Sequence, residues 1–206
     1  MVSEAYKQIE AARLHGTGVT GVQSGFTDLD RITSGWQKSD LIIIAARPGM
    51  GKTAFVLSLA RNAAIGFNRP IAVFSLEMSS VQLVQRMISS ETGIPSDKLR
   101  KGTLDNTEWQ KLVSMTGKLS SAPVYIDDTP SLSVFDLRSK CRRLKAMYGI
   151  EMIVVDYLQL MRSEVDAKSG NREQEISTIS RSLKALAKEL NVPVIALSQL
   201  SRAVES

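Results

Sequence analysis

The chain has 206 residues, 43% of them hydrophobic and 23% charged, with a formal net charge of +5. Those proportions are globular and argue against a disordered class, and no apolar run approaches the roughly 20 residues that a bilayer-spanning helix requires. The single cysteine, Cys141, excludes a disulfide within the chain and a cysteine-rich zinc site, while the positive charge permits phosphate-rich partners without demonstrating them.

Met1 is followed by a polar, charged stretch through Glu10, unlike a secretory signal, so a soluble, intracellular protein is expected. Residues 3–14 read as a short helix, with Ala5, Ile9 and Ala12 at helical spacing. Residues 15–21 are rich in glycine and threonine and read as a linker, in which the lone His15 is an exposed, inert side chain rather than a ligand. Thr27 is placed to cap a short helix through Ile32. Five nearly continuous apolar runs follow, at 41–45, 71–76, 124–126, 152–155 and 192–197, as strands buried on both faces should read. Helical patterns separate them, at 53–65, 79–91, 104–119, 133–148 and 173–190. Ser79 and Gln82 have the spacing of a capping box, Ser133 is a candidate cap, and Ile176, Ile179, Leu183, Leu186, Ala187 and Leu190 share one face of the last helix. Strand and helix in alternation predict an α/β fold: a parallel sheet with helices on both sides. Cys141 lies at helical spacing between Leu137 and Leu144, which fits a small core residue better than a reactive thiol.

The first strand runs directly into Ala46-Arg47-Pro48-Gly49-Met50-Gly51-Lys52-Thr53, and a helix pattern follows. The sequence pattern G-x-x-x-x-G-K-[ST] in that setting is a phosphate-cradling loop, here with Ala46 in place of the first glycine. Backbone N–H groups and the helix start present positive potential to phosphates, Lys52 adds a mobile charge at the β- and γ-phosphates, and the Thr53 hydroxyl suits Mg²⁺. A glycine-rich turn without a ligand is the plain alternative, and the strand–loop–helix order weighs against it. Asp156 closes the fourth strand, where a carboxylate faces the ligand crevice of a parallel sheet and can hold Mg²⁺ directly or through water; alone, it would read as a loop cap. Glu77 closes the second strand and is the candidate that orients and polarises an attacking water, against a plain surface glutamate. Gln199, after the fifth strand, can sense the γ-phosphate through a hydrogen bond. Residues 161–172 are polar and mixed in charge. Arg162, Lys168 and Arg172 are candidates for nucleic-acid phosphates, with a solvated loop the equal alternative, and no aromatic residue is present there for base stacking. Arg142, Arg143 and Lys145 read as a solvated helix face.

Taken in order, Ala45 to Thr53, Phe74-Ser75-Leu76-Glu77-Met78, Asp156-Tyr157-Leu158-Gln159-Leu160 and Ala196-Leu197-Ser198-Gln199-Leu200-Ser201-Arg202 resemble the DnaB-type replicative helicases of bacteria and their phages. Val19-Thr20-Gly21 and Gly25-Phe26-Thr27-Asp28-Leu29-Asp30 resemble the opening of that family's motor domain. The resemblance implies a RecA-like P-loop NTPase core over residues 19–206, truncated at its C-terminus, preceded at 1–18 by a linker helix and linker, the helix at 3–14 docking on the adjacent subunit. It also implies a homohexameric ring that moves along single-stranded DNA on ATP and Mg²⁺ in the cytoplasm of a bacterial or phage-infected cell, with primase and a helicase loader as further partners and no membrane. By position, residues Ala46 to Thr53 bind the nucleotide, Lys52 and Thr53 hold phosphate and Mg²⁺, Glu77 is the catalytic glutamate, Asp156 is the Walker B acid, and Gln199 couples the nucleotide site to DNA-binding loops. The family's basic finger, which completes a neighbour's site, falls beyond Arg202, so weak hydrolysis and little unwinding are expected of these 206 residues alone. Two other classes stay open on the residues: a RecA-like recombination or repair ATPase, and a non-hydrolysing, nucleotide-dependent interaction module that would not need Glu77.

Overall fold

The computed structural model describes residues 18–162 and 172–200, together with 2, 3, 6, 9, 10 and 13, and those six are helical, as expected for 3–14. His15, Lys168, Ser201 and Arg202 lie outside the described residues. Five parallel strands form one sheet: β1 (Leu41–Ala46), β2 (Ile71–Ser75), β3 (Val124–Asp127), β4 (Met152–Asp156) and β5 (Val194–Gln199), in the order β1-β5-β4-β2-β3. The helices are α1 (Thr27–Thr33), α2 (Lys52–Arg61), α3 (Ser80–Thr92), α4 (Ser96–Lys101), α5 (Asn106–Ser121), α6 (Val134–Tyr148) and α7 (Arg172–Leu190). Among the described residues, no helix is long and apolar enough to cross a membrane.

The apolar runs work because successive strand residues point to opposite faces. Ala72, Phe74, Ile153, Val155, Val194 and Ala196 pack into one core with Leu137 and Cys141 of α6 and Ile179, Leu183, Leu186 and Ala187 of α7. Ile71, Val73, Met152, Val154, Ile195 and Leu197 face the other core, with Val56, Leu57, Leu59 and Ala60 of α2 and Leu83 and Met87 of α3. Cys141 is wholly buried, and burial pushes its thiol pKa up, so it is the inert core residue that its spacing indicated. Burial on both faces holds for β2, β4 and most of β5 but not for β1 or β3. Those two are the edge strands, and Ile43 of β1 is 45% exposed.

Local chemistry sets the helix ends. Ser79 and Gln82 form the reciprocal capping box that starts α3, and Ser133 caps α6 by accepting from the Asp136 N–H. Asp105 and Glu108 make a second box, so α5 begins at Asn106 rather than at 104. The helix expected over 53–65 ends at Arg61 and continues as one π-helical turn, Asn62–Gly66. α4 is an additional short helix between two glycines. Thr27 is not a cap: it is the first helical residue, and the capping position is Phe26, which has no side-chain hydrogen bond. The acceptor in this region is Asp30, 8% exposed, whose carboxylate takes the N–H of Ser24 at 2.8 Å and of Gly25 at 3.1 Å. Asn62 donates to the Ser24 carbonyl at 3.2 Å and Phe26 stacks on Phe55 at 5.4 Å, so the opening segment is fastened to α2. A Cβ on Gly25, at a φ of +77°, would come within 2.5 Å of the Asn62 side chain.

Asp30→Ala removes a buried charged acceptor from two backbone donors, and the expected cost is about 2 kcal/mol, each kcal/mol being worth roughly 2–4 °C in a chain of this size. Thermal denaturation followed by circular dichroism measures it, and an unchanged midpoint would refute the role given to this carboxylate.

Candidate functional site

The site is built where the carboxyl ends of β1, β5, β4 and β2 meet, the edge at which parallel sheets bind ligands. β1 ends at Ala46 and the chain turns through residues 47–51 into α2. Gly49 and Gly51 have φ of +78° and +83°, a conformation that costs a residue with a Cβ but not glycine. Apart from its chain neighbours, nothing lies within 4 Å of the Cβ position of either, so backbone conformation rather than space asks for glycine here. Gly51 occupies the capping position of α2 without any side-chain cap, so the positive end of this ten-residue helix opens onto the loop. The Lys52 ammonium hydrogen-bonds back to the Ala46 carbonyl at 3.2 Å and stands 5.7 Å from the centre of the Tyr157 ring.

Thr53 and Asp156, far apart in sequence, meet directly: the Thr53 hydroxyl donates to Oδ2 of Asp156 at 2.8 Å. Asp156 is 3% exposed. Burial holds its carboxyl above the usual carboxylate range, the Thr53 hydrogen bond pulls it down, the charge of Glu77 pushes it up, and Lys52 and Arg86 pull it down again. Glu77 reaches this neighbourhood by register. Ser75 pairs with Asp156, the Leu76 N–H donates to the Asp156 carbonyl at 2.8 Å, and the chain then turns on Ser75, whose hydroxyl donates to the Met78 carbonyl at 2.8 Å and accepts its N–H at 3.1 Å. That turn leaves Glu77 exposed beside the buried aspartate. Gln199, also exposed, is the last residue of β5 and pairs with Ala46, the first residue of the loop.

Lys52, Thr53, Asp156, Glu77 and Gln199 are therefore gathered at one sheet edge, as their positions at strand ends implied. The candidates for nucleic acid are placed differently. Arg162 is exposed and bridges Ser133 through its backbone, while the Arg172 guanidinium is engaged within the fold, on the Glu175 carboxylate and the Gln159 carbonyl. In the helix cluster, Arg142 pairs with Glu189, which also takes Arg138, and Lys145 donates to the Ile150 carbonyl at 2.8 Å, so two of its three cations hold the fold together. Residue-by-residue reading assigns nothing to Tyr157 beside Lys52, to Ser75 under Glu77 or to Gln159. Gln159 has one signal, a polar residue within an otherwise apolar run.

A strand, a glycine-turned loop and a helix, with a buried carboxylate at the end of an interior parallel strand, define a phosphate-loop nucleotide-binding core of the RecA-like class. The chain belongs to the DnaB-like helicase C-terminal domain family, whose description matches residues 21–206. It is 56% identical over 202 residues to the replicative DNA helicase DnaB of Geobacillus stearothermophilus and 54% identical over 210 residues to that of Rhodothermus marinus. Those alignments cover 98% and 100% of this chain, which spans 44% and 22% of the two relatives' lengths. Among solved structures, one described as an ATPase domain superposes with a TM-score of 0.90 at 38% identity, covering 100% of this chain and 73% of that one. A DnaB-like replicative helicase, described together with its interactions with primase, superposes with a TM-score of 0.87 at 38% identity, covering 99% and 48%.

Thr53→Ala leaves the buried Asp156 carboxylate short of its donor and is expected to cost about 1–3 kcal/mol, most of which Thr53→Ser restores. Urea unfolding without nucleotide measures this; equal losses in the two variants would rule out the hydroxyl as the cause.

Proposed function

We propose that this chain is the ATP-hydrolysing motor domain of a replicative DNA helicase, working in a ring on single-stranded DNA. The observation that carries the reading is the 2.8 Å contact between Thr53 and Asp156 at the mouth of an uncapped helix, with Glu77 and Gln199 at the adjoining strand ends. Family membership and the likeness to an ATPase domain of known structure support it.

In this reading the N–H groups of the loop and the first turn of α2 hold the phosphates, and Lys52 leaves the Ala46 carbonyl to reach the β- and γ-phosphates. Thr53 and Asp156 offer two hard oxygen donors side by side, the donor type Mg²⁺ takes. The described residues contain no cluster of three or more His, Cys, Asp or Glu side chains, so such an ion would complete its shell with phosphate oxygens and water. Bound there, it would neutralise charge on the β- and γ-oxygens. Glu77 accepts a proton from the attacking water and orients it in line with the γ-phosphorus. Gln199 hydrogen-bonds the γ-phosphate and registers its departure. Arg162, Lys168 and Arg172 meet DNA phosphates, Arg172 by exchanging its internal acceptors for them. The supply of a basic finger by a neighbouring subunit accounts for ring assembly, and primase and a loader are the further partners of this reading.

The Glu77 assignment separates a motor from a nucleotide-dependent interaction module. Glu77→Gln should bind Mg·ATP as the wild type does while its DNA-stimulated turnover falls by ~10²–10⁴, and Lys52→Ala should weaken nucleotide binding itself. Phosphate release and fluorescent-nucleotide titration measure the two. Unchanged turnover in Glu77→Gln would remove that glutamate from the chemistry, and a wild type that binds ATP without even the weak hydrolysis expected of these 206 residues would favour the module. Chelating Mg²⁺ should lower nucleotide affinity in the wild type, and indifference to EDTA would count against the Thr53–Asp156 metal position.

A further inference from the structure

β4 and β5 pair as neighbours only as far as Val155 and Ala196. Beyond that point, among the described residues, no ladder joins the chain after β4 to the last residues of β5, and the side chain of Gln159 spans the gap. Gln159 lies in the 3₁₀ turn Leu158–Leu160. Its Nε2 donates to the Ser198 hydroxyl at 3.0 Å and to the Gln199 carbonyl at 3.1 Å, and its Oε1 accepts the Gln199 N–H at 3.3 Å. A side-chain amide thus pairs with the Gln199 backbone as a neighbouring strand would, using both N–H bonds and one carbonyl lone pair.

The contacts on either side form one run. Toward the nucleotide loop, the residue after Gln199 donates its N–H to the Ala46 carbonyl at 3.2 Å, and that same oxygen receives Lys52. Away from it, the backbone carbonyl of Gln159 receives the Arg172 guanidinium, and the chain from Gln159 reaches Arg162 within three residues. Lys52, Ala46, Leu200, Gln199, Gln159 and Arg172 are joined in sequence by hydrogen bonds and chain neighbours; Ala46, Leu200 and Gln199 take part through backbone groups, and Gln159 through its side-chain amide toward Gln199 and its backbone carbonyl toward Arg172.

We infer that Gln159 is a positioning residue that transmits the state of the nucleotide loop, through the end of β5, to Arg162 and Arg172 at the two borders of residues 163–171. This rests on the reading of Gln199 as the group that senses the γ-phosphate. A path of contacts is not coupling until two states are seen to bias it, and that is what has to be measured. When Gln199 gains or loses the γ-phosphate the backbone of 199–200 adjusts, and with Lys52 drawn to phosphate the Ala46 carbonyl no longer has to serve both the ammonium and the Leu200 N–H. With the Gln159 amide in place the adjustment is carried to the turn at Leu158–Leu160 and to the guanidinium resting on it. Without the amide it stops at β5.

Amide NMR of the 206-residue chain, with saturating Mg·ADP and then a non-hydrolysable Mg·ATP analogue, reads both ends. In the wild type the Gln199, Arg162 and Arg172 signals should all differ between the two nucleotides. In Gln159→Ala the Gln199 difference should persist while those at Arg162 and Arg172 collapse to the scatter of distant residues. Gln159→Glu keeps the length but has no N–H to donate, so it should behave as Gln159→Ala does. A purely structural role would instead perturb the borders equally in both nucleotide states and leave their difference intact. Border signals that are silent in the wild type while Gln199 responds, or that still respond in either variant, overturn the inference. A Gln199 signal indifferent to nucleotide in the wild type overturns both the sensor reading and the inference that depends on it.

Discussion

Asp156 must keep a carboxylate where water has been almost entirely removed, and much of the site's arrangement follows from meeting that demand. A buried carboxyl without partners would take up a proton and lose its use as an anionic oxygen donor. Here the Thr53 hydroxyl supplies a hydrogen bond, and Lys52 and Arg86 lie close enough to lower the cost of the charge. Glu77 raises it. The two carboxylates are held side by side in spite of their repulsion, by a β2–β4 register that fixes their backbones independently of their charges. Such a pair is poorly matched to itself and well matched to a cation.

The sheet makes that register rigid. β4 is an interior strand packed on both faces, with Met152 and Val154 in one core and Ile153 and Val155 in the other. A slip of one residue would exchange the two sets and turn Asp156 away from Thr53. The loop before α2 is held from two further directions, by β5 along the strand that feeds it and by the clamp of Asp30 and Asn62 that ties the opening segment to the far end of α2. The site's geometry is thus set by apolar packing at a distance from it, and the polar residues have only to be at the strand ends.

For the same reason, much of the fold and the site is legible in the sequence. Near-continuous apolar runs identify strands without reference to their neighbours, and a polar residue ending such a run, as Glu77 and Asp156 do, identifies the functional edge. The loop at residues 46–53 announces itself because φ of +78° and +83° at Gly49 and Gly51 demand glycine. What is not legible depends on order in space. Nothing local in residues 41–46 says that β1 is an edge strand, so the sequence does not reveal its exposure. Asp30 reads as an ordinary helix residue because its partners, the N–H groups of Ser24 and Gly25, are backbone and leave no mark in composition. Gln159 is hidden for the same reason: its partners are largely the backbone of a strand remote in sequence.

The strand order has a consequence for the way the chain comes together. β2 lies between β3 and β4, and these three can assemble from the middle of the sequence. β1 pairs only with β5, so the strand that feeds the phosphate loop is synthesised first among the five and has no strand to pair with until the fifth is made. Closing that long-range pair carries the largest loop-entropy cost of any in the sheet. The edge that carries the candidate site is accordingly the last part of the sheet whose strands are all synthesised, since Val194–Gln199 must be present before β1 has a neighbour to pair with.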